Sequence, residues 1–174
     1  MPGAPQPRRP LDWIYLVYFV SHIPITVLVD VVPLFPKHLV PGLLLDINHF
    51  LTAVLGDPFM VAGPTRSDMA WFRSMLLCEL LFQLPFFFYA VAAVWRRSTF
   101  RHLPLVVYGA HVSTTMVPIL GTLAVGDIDR SSSQRLFLAS MYIPYLLIPL
   151  TMAVDSFISC ARVFASSASK LKSN

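Results

Sequence analysis

Residues 71–89 most constrain the fold, because this stretch is apolar and long enough to cross a bilayer. Near its middle lies Glu79, the only glutamate in the chain. A carboxylate at the centre of a spanning helix costs roughly 2.5–3.5 kcal/mol on insertion scales, so it is tolerated where it faces a bundle interior and has a partner. Gln83 follows one helical turn later on the same face. The stretch therefore predicts a helix that brings polar groups into a membrane bundle.

The composition of the whole chain is also that of a membrane protein. Of its 174 residues, 56% are hydrophobic and only 13% are charged, whereas soluble domains carry about a quarter charged residues. The net charge of +4 comes from scattered basic residues, which argues against nucleic-acid binding. Cys78 and Cys160 lie in apolar segments without metal-binding spacing. We therefore expect no disulfide, no metal and no cofactor.

Four apolar segments predict an all-α integral membrane protein, a bundle of four transmembrane helices. The predicted spans are residues 11–32, 70–94, 103–125 and 136–158. Residues 42–55, in the first connection, have a helical pattern but are too short to span, which predicts an interfacial or re-entrant helix. Asp57 and Pro58 end it, because a residue before proline is pushed out of helical geometry.

The basic residues predict the orientation of the bundle. Eight of the 13 lysines and arginines lie on one side of the predicted spans and five on the other. By the positive-inside rule, this distribution places both termini in the cytosol and the helical first connection in the lumen. The expected organisation is a cytosolic head (1–10), a membrane domain (11–160) and a cytosolic tail (161–174). We expect the Ser-, Ala- and Lys-rich tail to be poorly ordered.

Every span carries polar side chains that reach the lumenal half or the middle of the bundle, counted at about 1.5 Å per helical residue. A further acid, Asp57, lies on the loop that returns to the second span and can fold over the opening. The polar set of the spans comprises Asp30, Glu79, His111, Thr114, Thr115, Tyr142 and Tyr145. Together these residues predict a pocket inside the membrane.

These residues also have structural alternatives. Each acid of the spans can be satisfied by a threonine, tyrosine or backbone partner, although intramembrane acids are functional by default. His22 and His111 are more often packing residues than ligands or bases. Asp57 can be a turn residue, and the two tyrosines of the fourth span can serve in packing. Asp155 lies near the cytosolic end of the last span, where it can snorkel or pair with Arg162, and we leave it out of the pocket.

The pocket chemistry predicts the class of ligand. Two acids in a partly dry pocket cannot both ionise cheaply, so we expect the pair to carry about one negative charge. The rest of the predicted wall is Phe, Leu, Met and Tyr. Such a site suits an amphiphile with one cationic amine and a bulky apolar body, or a flat sterol whose hydroxyl binds the acids.

Several motifs resemble the sigma-2 receptor family of the EXPERA group, which also contains the emopamil-binding sterol isomerases. In chain order they are Ser21-His-Ile-Pro-Ile-Thr26 with Asp30, Asp57-Pro58, Ala70-Trp-Phe-Arg-Ser74, and Cys78-Glu-Leu-Leu-Phe-Gln-Leu-Pro-Phe-Phe87. His111 to Leu120 and Tyr142 to Pro149 continue the match. The resemblance covers all four spans, roughly residues 11–150.

The resemblance implies an endoplasmic-reticulum protein that binds sterols and cationic amphiphiles and takes part in cholesterol homeostasis and trafficking. In the family, the acid of the first span takes the ligand amine, and that acid is Asp30 here. Asp57 supports it and pairs with Glu79. The other matching pocket positions are His22, Gln83, Thr114 and Tyr145.

The resemblance also implies partners and locations. The ligands are cholesterol or an oxysterol and cationic amphiphilic drugs, held within the lipid bilayer. The protein partners are a lysosomal cholesterol transporter of the Niemann-Pick C1 type and a second copy in a homodimer. Lys170 and Lys172 resemble a dilysine retrieval signal to the endoplasmic reticulum. The nuclear envelope, lysosomal membrane and plasma membrane are further implied locations.

The alternative function is a sterol double-bond isomerase that uses Glu79 as acid and base. That chemistry needs a positioned acid and a positioned base. In the isomerases, a histidine and an acid one turn later join the acid of the second span. None of the five histidines here is followed four residues on by Asp or Glu. A proton-coupled transporter using Glu79 is a third reading, against which four short spans without a repeat argue. We therefore expect a receptor and not an enzyme.

Overall fold

The computed structural model describes residues 8–62 and 66–172. Four of its helices are long and apolar enough to cross a membrane, which confirms the prediction of a four-span bundle. We call them spans 1 to 4: Pro10–Leu34, Ser67–Trp95, Thr99–Val125 and Ser132–Ser169. The predicted head lies outside the described residues up to residue 7, and so do the side chains of Lys170 and Lys172. The domain boundaries remain predictions.

Span 1 changes its helical geometry along its length. It is α-helical over Pro10–Ile25, widens into a π-helical turn over Thr26–Asp30, and ends in a 3₁₀ turn over Val32–Leu34. Proline has no N–H, and its ring clashes with the carbonyl four residues earlier. For Pro33 that carbonyl belongs to Val29, inside the π turn. The proline therefore accounts for the loss of regular α-helix where Asp30 lies.

Span 2 repeats this pattern. Its α-helix over Ala70–Cys78 widens into a π-helical turn over Glu79–Gln83 and becomes α-helical again over Leu84–Trp95. Pro85 lies four residues after Leu81, which is inside that turn. π turns within helices are rare and concentrate at functional sites. Both intramembrane acids thus occupy a π turn, Asp30 as the last residue of one and Glu79 as the first of the other.

The helix of the first connection runs over Gly42–Leu55, the bounds that the sequence predicts, and we call it the connecting helix. Gly56 ends it with a φ of +62°, a left-handed conformation that glycine adopts readily. A short helix over Pro58–Ala62 then leads towards span 2. The connecting helix buries Asn48 and Thr52 and exposes Phe50 and Val54. This amphipathic pattern fits the predicted interfacial position.

Span 4 continues as a helix to Lys172, so the prediction of a poorly ordered tail from residue 161 was wrong. No glycine or proline follows Pro149, so no residue there breaks the helix. The serine hydroxyls of the extension donate to carbonyls three or four residues earlier, as Ser159 does to Asp155 at 2.9 Å and Ser167 to Val163 at 3.0 Å. These bonds leave the small polar side chains compatible with a helix.

Spans 3 and 4 pack closely at Gly109. A Cβ built there would meet the carbonyl of Pro149 and would lie 2.8 Å from the backbone nitrogen of Ala153. Small residues allow helix backbones to approach in membranes. We therefore attribute the close packing of the two spans to the missing side chain at Gly109.

Gly109→Ala is expected to destabilise the protein by about 1–3 kcal/mol, because the added methyl group must push two helix backbones apart. The thermal unfolding temperature of the purified protein in detergent measures this loss. Gly121→Ala in the same span is the matched control, since a Cβ there meets nothing within 4 Å. Equal unfolding temperatures for the two variants would contradict the close-packing explanation.

A cluster of four charged side chains ties the start of span 1 to spans 3 and 4. Arg9 is 2.9 Å from Asp155 and 3.0 Å from Asp12, and Arg101 is 3.1 Å from Asp12. The hydroxyl of Tyr15 also donates to Asp155 at 3.3 Å. Asp155 thus pairs with Arg9, at the other end of the sequence, whereas the sequence allowed either snorkelling or a pair with Arg162. We call these four side chains the ion-pair cluster.

Candidate ligand-binding site

A cavity of about 280 Å³ lies in the bundle, bordered by all four spans, the connecting helix and the loop after it. Its wall is largely apolar and includes Val29, Leu51, Leu55, Met60, Phe72, Met75, Met116, Ile119, Leu138 and Met141. Eight polar side chains interrupt the wall: His22, Asp30, Asp57, Glu79, Gln83, Thr115, Tyr142 and Tyr145. Within the described parts of the chain, no lysine or arginine lines it. The cavity is therefore apolar with an excess of acids.

The two π turns bring Asp30 and Glu79 together. One ligand atom from each of His22, Asp30 and Glu79 lies within 4.8 Å of the other two. The hydroxyl of Thr26 donates to Glu79 Oε1 at 2.6 Å, and His22 Nε2 is 3.6 Å from the same oxygen. Thr26 and His22 are one turn apart on span 1, so they hold Glu79 from one side. The predicted meeting of the two acids is what the structure shows.

His22 is held by aromatic rings on three sides. Its ring centroid lies 5.1 Å from that of Tyr18, 4.9 Å from that of Phe87 and 4.9 Å from that of Tyr145. It is 7% exposed, and its Nδ1 atom has no hydrogen-bond partner among the described residues. The rings fix the imidazole so that Nε2 faces Glu79. His22 therefore combines the packing role and the pocket role that the sequence left open.

Asp57 lies against the cavity but has its own partners. The hydroxyl of Tyr142 donates to Asp57 Oδ2, and the backbone N–H of Phe59 donates to its other carboxylate oxygen at 2.8 Å. Burial raises the pKa of the Asp57 carboxyl, although these two bonds act in the opposite direction. The resemblance implies that Asp57 pairs with Glu79, whereas the hydrogen bonds in the structure pair it with Tyr142. The bond to Phe59 also makes it the turn residue that the sequence allowed.

The structure corrects the assignment of Thr114. Its side chain is exposed, donates to the carbonyl of Ala110 at 2.8 Å and lies outside this cavity, whereas the neighbouring Thr115 lines it. His111 lies outside the lining too, although its Nε2 is 3.4 Å from the amide nitrogen of Gln83. Gln83 and Tyr145 lie where the sequence predicts them, in the cavity wall.

Two residues that bond to the acids of the cavity are absent from the predicted ligand set, Thr26 and Tyr142. Each donates to a pocket acid. The sequence contains a signal for Thr26. It follows His22 by four residues, which places both on the same helix face, and it is the last residue of the first family motif. Tyr142 belongs to the predicted polar set of the spans, but its pairing with the loop acid depends on tertiary structure.

Among the described residues, only His22, Asp30 and Glu79 have the spacing of metal ligands. Metal-ligating histidines almost always donate their second ring N–H to a carboxylate, carbonyl or water. Nδ1 of His22 has no carboxylate or carbonyl partner among the described residues, and Thr26 already bonds to Glu79.

Comparison with known proteins confirms the resemblance to sigma-2 receptors. Human Sigma intracellular receptor 2 is 37% identical over 163 residues, covering 87% of this chain and 90% of its own length. The Xenopus tropicalis protein of that name is 38% identical over 159 residues with the same coverage. The Efficient mitochondria targeting-associated protein 19 of Saccharomyces cerevisiae is 31% identical over 153 residues, 79% of this chain and 92% of its own length. Residues 44–156 match the profile of EXPERA (EXPanded EBP superfamily). The chain belongs to the EXPERA family.

Proposed function

We propose that the protein is a membrane receptor of the sigma-2 type that binds cationic amphiphiles and sterols in this cavity. The observation that carries the proposal is the meeting of Asp30 and Glu79 in a largely apolar wall to which no described lysine or arginine contributes. Buried acids in a membrane demand a cationic or hydrogen-bonding partner. The names of the vertebrate relatives, Sigma intracellular receptor 2, support a receptor.

A protonated amine satisfies this arrangement. Its N–H group donates a charge-assisted hydrogen bond to the carboxylate of Asp30, and its charge compensates the negative charge of the acid pair. Glu79 is oriented by Thr26 and supports Asp30 from the other side. The methionine, leucine and phenylalanine side chains of the wall receive the apolar body of the ligand.

A sterol uses the same features in a different way. Its hydroxyl group donates to one acid and accepts from the other when they share a proton, and its flat ring system fills the apolar part of the cavity. We propose cholesterol or an oxysterol as this ligand, with a role in cholesterol homeostasis and trafficking.

The proposed setting follows from the basic residues and from the family. We propose the endoplasmic-reticulum membrane, with both termini in the cytosol, and the nuclear envelope, lysosomal and plasma membranes as further locations. The proposed partners are a second copy of the chain and a lysosomal cholesterol transporter of the Niemann-Pick C1 type.

A sterol double-bond isomerase is the second candidate, because His22 Nε2 lies 3.6 Å from Glu79 Oε1. A histidine and a carboxyl group at this distance can act as an acid and a base. One adds a proton to one carbon of a substrate, and the other removes a proton from a second carbon. However, the acid expected one turn after the histidine is replaced by Thr26, which donates to Glu79. We therefore place the receptor first.

The test is equilibrium binding to the purified wild-type protein in lipid nanodiscs, with a sterol isomerase assay on the same sample. The probes are dimethyl(phenylbutyl)amine and the hydrocarbon in which a C–H group replaces its nitrogen. We expect the amine to bind at least about tenfold more tightly, since one charge-assisted hydrogen bond contributes 1.5–3 kcal/mol. Equal affinities would refute the acidic amine site. Turnover of a sterol double bond would assign the protein to the isomerases.

A further inference from the structure

Asn48 connects the connecting helix to the π turn of span 1. It is 6% exposed, and its amide nitrogen donates to the carbonyl of Val29 at 2.9 Å and to that of Leu28 at 3.3 Å. Both carbonyls belong to the turn that ends at Asp30. A side chain from one element thus bonds to the backbone of another, next to a ligand-binding acid.

The sequence of span 1 explains why the carbonyl of Val29 needs a donor. In a regular α-helix the carbonyl of Val29 accepts from the N–H four residues later, and that residue is Pro33, which has none. A buried carbonyl without a partner is unfavourable, so a native structure supplies one. Asn48 takes the place of the missing backbone N–H.

Hydrogen bonds also hold the backbone on both sides of Asp30. The π turn is closed by the N–H of Val31, which donates to the carbonyl of Thr26 at 3.0 Å. Asp30 lies between Val31 and Val29, so both neighbours of the acid are held by hydrogen bonds. In addition, the connecting helix contributes Leu51 and Leu55 to the cavity wall.

We propose that Asn48 is a positioning residue of the amine site, which holds the π turn of span 1 so that Asp30 faces Glu79. This inference rests on the proposed function, because it concerns the preference of the cavity for a charged amine. Asn48 does not line the cavity and acts through the backbone of Val29. Substitution of Asn48 should therefore weaken binding of the charged amine and leave binding of an uncharged apolar ligand unchanged.

The test compares the amine and its hydrocarbon isostere on the full chain with single substitutions. Asn48→Leu removes the N–H donor and keeps the number and branching of the side-chain heavy atoms, and Asn48→Gln keeps the donor. Thr52→Val is the matched control, because Thr52 is also buried in the connecting helix but donates only to the carbonyls of Asn48 and His49 in that helix. Dissociation constants are measured for both probes on every variant and on the wild type.

We expect Asn48→Leu to weaken amine binding about tenfold, the equivalent of one hydrogen bond to a charged group, and to change hydrocarbon binding less than about twofold. Asn48→Gln should recover part of the amine preference, and Thr52→Val should keep all of it. An unchanged preference in Asn48→Leu would overturn the inference, as would equal weakening of both probes, which indicates a purely structural role. A wild type without amine preference would refute the proposed function itself, so the two failures are distinguishable.

Discussion

Asp30→Asn is expected to weaken the binding of a cationic amphiphile by about 2–5 kcal/mol, because the amine charge is then buried opposite a neutral amide. Asparagine has nearly the shape of aspartate, so the apolar wall and the cavity volume should not change. The loss should therefore appear for the amine and be small for a neutral molecule of the same shape. The dissociation constants of dimethyl(phenylbutyl)amine and of its hydrocarbon isostere measure the two losses.

The matched control is Asp129→Asn, which removes the same charge from an exposed position outside the cavity. It should bind the amine as the wild type does. Thr114→Val is a second control, because the structure places this side chain outside the cavity although the family pattern assigns it to the ligand set. Amine binding that is equal in Asp30→Asn and the wild type would show that the acid pair is not the amine site.

The acids could be predicted from the sequence because each is a polar exception inside an apolar run. A charge in a predicted span must face the bundle interior, so Asp30 and Glu79 were placed near each other without any knowledge of packing. The connecting helix was predicted at its observed bounds for a similar reason, since Gly56 and the proline two residues after it interrupt a clear helical pattern.

The details of the pocket wall could not be predicted in this way. Thr114 and Thr115 both belong to the predicted polar set, and the family pattern selects Thr114. Neighbouring residues on a helix point about 100° apart, so only the orientation of span 3 decides which of the two lines the cavity. Both threonines can donate to a carbonyl one turn earlier, so polarity does not distinguish the lining residue from the exposed one. The π turns add to this difficulty, because each changes the helix face that follows it.

The ion-pair cluster could not be predicted from the sequence either. Arg9 and Asp155 are 146 positions apart, and only the packing of span 1 against span 4 brings them together. From the sequence, the nearest downstream cation of Asp155 is Arg162, so a local pair was one of the two alternatives for this acid. Asp12 and Arg101 likewise meet only because the starts of spans 1 and 3 lie at the same end of the bundle. Long-range pairing of charges depends on the fold, not on spacing along the chain.

Asp12→Asn is expected to destabilise the protein by about 3–5 kcal/mol, because it leaves Arg101 buried without its charged partner. Asp12 is 2% exposed and Arg101 is 7% exposed, so water cannot replace the lost carboxylate. Nη2 of Arg101 donates to both oxygens of Asp12, at 3.1 and 3.3 Å, and its Nε and Nη1 atoms have no other partner among the described residues. The substitution thus removes the negative charge and one of the two acceptor oxygens, and it places an NH2 donor against the buried guanidinium.

Thermal unfolding in lipid nanodiscs measures this loss, and Asp68→Asn is the matched control. Asp68 also pairs with an arginine, at 2.5 Å, but both side chains are more than half exposed. Exposed ion pairs contribute little to stability, because water solvates each partner when the other is removed. A large drop in unfolding temperature for Asp12→Asn with little change for Asp68→Asn is the expected pattern. Equal drops would show that the cluster is not held by buried charge pairing, and the attachment of span 1 to spans 3 and 4 would then rest on apolar packing alone.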